Sequence, residues 1–162
     1  PETRALWNHA FRLEYVVSLR AKSLKLTLCV VNTGSAPFDF NCLLHTYFRV
    51  PDVAETSVRG LMGLSYIDKV DGGATKTQSD AHAFIPSCTD SVYVGSAPGA
   101  KDAVVAPKDG PAMFAITNEA VIAGEAKPCD IVLWNPYEAA SPGDLPPPAF
   151  KGFVCVEPGL VS

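Results

Sequence analysis

Three residues in this sequence stand where a strand could aim chemistry at a common point: His45, Asp90 and Glu157. An imidazole holds or releases a proton near neutrality, and an ionised carboxylate accepts one. A histidine and a glutamate facing each other across a bound molecule therefore form a general acid–base pair. Each residue also has a blander reading. His45 can be a core histidine donating to a carbonyl, Glu157 a solvated strand end, and Asp90 an Asx turn opening a strand.

The elements that must position them are strands. In FRLEYVVSLR, Leu13, Tyr15, Val17 and Leu19 alternate with Glu14, Val16, Ser18 and Arg20. In SLKLTLCVVN, Leu24, Leu26, Leu28 and Val30 alternate with Lys25, Thr27, Cys29 and Val31. This period of two predicts strands with one face on a core. Only Ala21 and Lys22 link them, which predicts a hairpin. The run PFDFNCLLHTYFRV is read as one strand ended by Pro51, with Asn41, His45, Tyr47 and Arg49 on one side, a set suited to a polar cleft. Further strands are expected in SVRGLM, SYIDKV, DSVYVG, AVVAP, AMFAITN, DIVLWNP and FKGFVCVEP. Loops are expected in DGGATKTQSD, SAPGAKD and EAASPGDLPPP. No segment carries a sustained helical stripe, so the fold class is all-β, a sandwich or barrel.

Composition narrows the function classes. The net charge is −4, and the thirteen Lys and Arg are scattered singly, which argues against a nucleic-acid partner. The longest apolar runs fall well short of the roughly 18 residues of a membrane span. The five cysteines form no C-x-x-C pair, and three lie inside apolar strand runs, where a thiol behaves as a small core side chain. Free thiols point to a reducing compartment, cytoplasm or organelle stroma. His9, His45 and His82 lack H-x-x-x-H or H-x-H spacing, so no zinc site is expected. Motifs for phosphate loops, dinucleotides, EF-hands and the G-x-S-x-G elbow are absent.

Taken in order, LWNHAFRLEYVVSL, LHTYF, VRGLMGLSYIDK, TDSVYVG, DIVLWNPY and FVCVEPG resemble the hexose-6-phosphate mutarotase (glucose-6-phosphate 1-epimerase) family, within the galactose mutarotase-like superfamily. The resemblance implies an antiparallel β-sandwich with a concave sugar-binding face. It implies that residues 1–162 are the C-terminal part of a single such domain, incomplete in this chain. It implies that His45 and Glu157 are catalytic, that Asp90 binds sugar hydroxyls, and that no metal or organic cofactor is needed. The implied reaction interconverts α and β anomers of a hexose 6-phosphate. The sheet edge is expected to be completed by the missing N-terminal half or by a partner protein. Three departures from the family pattern stand out: Ser91 where arginine is usual, Ser87-Cys88 where an acidic residue is usual, and EAASPGDLPPP in place of a lysine-containing loop. A second reading is a non-catalytic mutarotase-like binding or structural subunit of a larger assembly. A carbohydrate-binding sandwich would use Trp134 and Tyr137 for stacking.

Overall fold

Alternating residues become strands wherever the chain finds a neighbour to pair with, and the computed structural model shows fifteen of them among its described residues, 2–96, 103–138, 140–146 and 148–162. Strand accounts for about half of the described residues, and the one α-helix among them, α1 (Glu2–Leu6), is five residues long. No helix among these residues is long and apolar enough to cross a membrane.

The chain divides into two units, residues 1–40 and 41–162. The first holds α1, β1 (Phe11–Arg20) and β2 (Ser23–Asn32). These strands pair antiparallel from Phe11↔Asn32 to Arg20↔Ser23, so Ala21 and Lys22 form the expected two-residue turn. The expected core face is not realised. Leu13, Tyr15 and Val17 on one face and Val16 on the other are each about half exposed, from 48% to 56%. A two-stranded ribbon has no second layer of its own to bury an apolar face. Trp7, Phe11, Phe38 and Phe40 form a chain of ring contacts within this unit.

The second unit is a sandwich. Its strands are β3 (Cys42–Leu43), β4 (Tyr47–Arg49), β5 (Thr56–Arg59), β6 (Ser65–Asp68), β7 (Ala74–Thr77), β8 (His82–Phe84), β9 (Thr89–Ser96), β10 (Ala103–Pro107), β11 (Phe114–Ile116), β12 (Ala120–Ile122), β13 (Glu125–Lys127), β14 (Cys129–Asn135) and β15 (Phe153–Leu160). One sheet runs β3-β15-β14-β9-β6-β7, with β4 also paired to β15. A second runs β11-β10-β5-β8, and β12 and β13 form a separate hairpin. Val58 and Val105 of the smaller sheet meet Tyr93, Ile131, Leu133, Val154 and Val156 of the larger one in a shared core.

Two expectations need correction. The run from Pro37 to Val50 is not one strand. It breaks at Leu44–Thr46, where Thr46 folds back so that both its N–H and its hydroxyl donate to the Leu44 carbonyl. The stretch DGGATKTQSD is not all loop: Gly72 and Gly73, both at positive φ, turn the chain so that Ala74–Thr77 pairs with β6. The loop expected at SAPGAKD begins at Ser96, the last residue of β9, and the rest of it, 97–102, lies outside the described residues.

One side chain ties the central strands together. Buried Asp130 on β14 accepts from the backbone N–H groups of Gly95, at the end of β9, and of Val161 and Ser162, just beyond β15. Burial opposes its ionisation, but these donors outweigh that and hold its carboxyl below the usual range.

Candidate active site

Residues opposite each other in an antiparallel sheet point to the same side, and so do residues two apart on one strand. Side chains alternate along β15, so Val154 and Val156 lie on one side and Phe153, Cys155 and Glu157 on the other, although Phe153 and Cys155 are buried as well. Cys155 lies between Tyr47 of β4 and Trp134 of β14, and Trp134 is opposite Asp90 of β9. One row thus reads Tyr47, Cys155, Trp134, Asp90. The next reads Glu157, Val132, Val92, Ile67. Asp90 and Glu157 consequently share a face.

His45 reaches that face from the Leu44–Thr46 break. Its Nδ1 lies 3.1 Å from the Glu157 carboxylate. Tyr47 stacks on its ring at 5.0 Å, and Trp134 meets it edge-on at 5.4 Å. The break does what a regular strand could not, because it frees the imidazole from the pleat while the stacked ring limits its swing. Leu44 remains tied to β15 through its N–H, which donates to the Pro158 carbonyl. Gly159 makes the close approach of β3 possible: a Cβ there would run into the Cys42 carbonyl and the Leu43 backbone.

Glu157 is only 2% exposed. Although His45 is within ion-pair distance, the contact lacks hydrogen-bond alignment, and the Glu157 Oε1 accepts no aligned bond. Burial, and then the nearby Asp90 charge, push its carboxyl up to about 7, with Lys69 opposing them. The ordinary carboxylate expected of Glu157 is thus replaced by a group that exchanges its proton near neutrality. Burial also raises the Tyr47 hydroxyl, helped by Cys155, Glu157 and Asp144.

Sequence reasoning did not find the frame around the pair. Tyr47, Trp134 and Phe153 contact one another around Cys155, with ring centroids 5.0 to 6.2 Å apart. Their alternation was visible, but which strands lie side by side was not. Trp134, half-buried, belongs to this frame, whereas Tyr137 donates its hydroxyl to the Ile85 carbonyl elsewhere. Lys69 was legible only as part of the YIDK string. Ser91, which stands where the family usually has arginine, is buried on the opposite face, level with Leu133 and Asp68.

Among families of known proteins, the one described as aldose 1-epimerase matches residues 1–161. The chain belongs to the aldose 1-epimerase family. A protein of Escherichia coli K12 provisionally named glucose-6-phosphate 1-epimerase is 32% identical over 164 residues, covering 99% of this chain and 50% of that protein. A Cenchrus ciliaris protein with the same provisional name is 30% identical over 166 residues, covering 99% of this chain and 47% of its own length. The chain thus spans about half the length of these aldose 1-epimerase relatives. A crystal structure of a Salmonella typhimurium protein, provisionally designated a mutarotase, superposes with a TM-score of 0.74 at 27% identity, covering 99% of this chain and 50% of that one.

Proposed function

We propose that this chain belongs to an enzyme that interconverts the α and β anomers of a hexose 6-phosphate, with His45 and Glu157 catalytic and Asp90 binding sugar hydroxyls. The observation that carries this reading is the buried, unaligned Glu157 carboxylate 3.1 Å from a half-exposed imidazole. Family membership and the relatives' names support the substrate class. An incoming sugar replaces the unaligned contact between the two side chains. Glu157 takes the proton of the C1 hydroxyl as the bond from C1 to the ring oxygen breaks, and protonated His45 gives its proton to that oxygen. The open aldehyde turns about its C1–C2 bond. Closure runs the transfers backwards: the returning hydroxyl hands a proton to His45, and Glu157 protonates the carbonyl oxygen. A group near 7 both accepts and returns a proton at neutral pH, which a reversible exchange requires. Saturation-transfer NMR between the two anomer signals of glucose 6-phosphate, with glucose for comparison, tests the reading. Exchange no faster than the uncatalysed rate overturns it and leaves the non-catalytic binding reading.

The rising limb of the pH dependence follows from Glu157. Glu157 acts as the base and His45 as the acid, so kcat/KM follows a bell in pH whose rising limb is centred near 7, where the raised carboxyl loses its proton. Lys69 holds that value down, so Lys69→Met moves the rising limb to higher pH. A limb centred in the ordinary carboxylate range, or one unmoved in the variant, contradicts the assignment.

We further propose that residues 1–162 form part of a single larger mutarotase-like sandwich, completed at the hairpin by more polypeptide. The apolar residues exposed on both faces of β1 and β2 support this. Residues 1–162 alone are expected to bind a hydrophobic dye strongly, and to lose that binding once covered; weak binding by the isolated chain argues against it. The free thiols of Cys29, Cys42, Cys88 and Cys155 fit a reducing compartment, cytoplasm or organelle stroma, which fractionation of source cells would check.

A further inference from the structure

Metal sites are found in sequence when ligands sit a few residues apart, and by that rule this chain has none. The fold nevertheless brings three possible donors together. A ring nitrogen of His45, the Cys155 thiol and a Glu157 carboxylate oxygen all lie within 4.8 Å of one another. Cys155 is fully buried and Glu157 nearly so, with Oε1 lacking an aligned partner, whereas His45 is about half exposed. Donors around a tetrahedral ion with bonds of about 2.0–2.3 Å stand about 3.3–3.8 Å apart. The widest gap in the trio therefore has to close by up to about 1.0–1.5 Å. The member least held by packing is His45, which sits in the strand break and faces solvent, and it is placed to close over an ion resting against β15.

The donor set selects the ion. A nitrogen, a thiolate and a single carboxylate suit a borderline-soft divalent ion and give magnesium or calcium too few oxygens. Among the described residues, no other group of three such ligands comes together. The Lys76 ammonium already neutralises Asp68 and Asp71, at 2.8 Å from each.

We propose that His45, Cys155 and Glu157 form an inhibitory site for a thiophilic divalent cation such as Zn²⁺, with a fourth position open to water. On binding, the Cys155 S–H bond is lost and a sulfur–metal bond forms, the proton passing to solvent along with any proton held by Glu157. The cation site rests on the geometry of the trio, and its inhibitory effect rests on the anomer-exchange reading. If that reading also holds, the ion removes both catalytic groups together and exchange stops.

Cd²⁺ is the probe, because a thiolate bound to cadmium absorbs by charge transfer in the ultraviolet. Titrated into the full chain, it is expected to raise one such band, saturating at one ion per chain and reversed by Zn²⁺ but not by Mg²⁺. Cys155→Ser abolishes the band, and Cys88→Ser, at a half-buried thiol outside the trio, leaves it intact. His45→Ala, a change at a half-exposed side chain that spares the core, weakens Cd²⁺ binding by at least about tenfold. A band that survives Cys155→Ser, or an affinity unchanged in His45→Ala, overturns the proposal, as does the absence of a band in the unmodified chain. The readout is optical, so an inactive protein that still shows the band separates failure of the exchange reading from failure of this one.

Discussion

Glu157→Gln is expected to slow anomer exchange by about 10²–10⁴-fold while making the protein more stable at alkaline pH. The first effect follows because an amide cannot accept the C1 hydroxyl proton. The second follows from linkage. In the unfolded chain the carboxyl titrates near 4.5, and in the folded state it is pushed up to about 7, first by burial and then by Asp90. The folded state thus binds the proton more tightly. Its stability is greatest below the unfolded value, falls as pH rises from one value to the other, and carries the full penalty above 7. That penalty is about 3 kcal/mol at most. Glutamine escapes it, so denaturant titrations of the two proteins should separate by up to that amount near about pH 8 and converge near about pH 4. Equal stabilities at both pH values would mean that Glu157 is not strained in its charged form. Lost activity with no change in stability would place its role in binding.

Asn135→Ala is expected to cost about 3–5 kcal/mol, among the largest losses available from one polar side chain. Asn135 is fully buried. Its Nδ2 donates to the carbonyls of Phe150 and Phe153, each at 2.9 Å, and its Oδ1 accepts from the Tyr137 N–H at 2.9 Å. The alanine leaves two buried carbonyls and one N–H without partners. It also releases Tyr137, whose φ of 50° is a left-handed conformation that a non-glycine residue holds only under constraint. Asn135→Asp is expected to be no better, because it turns a lone pair toward two carbonyls that need a donor. Urea unfolding gives the comparison directly, and a loss below about 1 kcal/mol would show that water enters and satisfies these groups.

What the sequence revealed, and what it hid, divides along the same physical line. Alternation along one strand is a local property, so the strands SYIDKV, DSVYVG, AVVAP and DIVLWNP were legible and are present as β6, β9, β10 and β14. Which strand lies beside which is not local. The pairing of β4 with β15 places Tyr47 beside Cys155 and His45 near Glu157, and no spacing rule connects residues so distant along the chain. Cys155 was read as a core thiol, which it is by burial, but its sulfur also stands among donors that only the fold collects. The break at Leu44–Thr46 was hidden because its residues continue the apolar alternation, while the turn is closed by a threonine hydroxyl. The hairpin was legible as a hairpin, but burial of its face depends on what lies against it, which the sequence of β1 and β2 does not contain.

The Asp130 bonds have a consequence for how the site tolerates change. Because a strand's side chains alternate between two faces, a slip of one residue by β15 against β14 would present Val154 and Val156 where Cys155 and Glu157 now stand, and bury the carboxylate in the core. The backbone pairs almost equally well in either alignment. The distinction must therefore come from side chains, and Asp130 supplies part of it by gripping Gly95 on one flank and Val161 and Ser162 on the other. Losing or gaining one residue within β15 inverts the chemistry of the whole face, whereas the same change in the proline-rich stretch before it only alters the length of a connection. The site is written in odd and even, and Asp130 helps decide which of the two carries Cys155 and Glu157 beside His45.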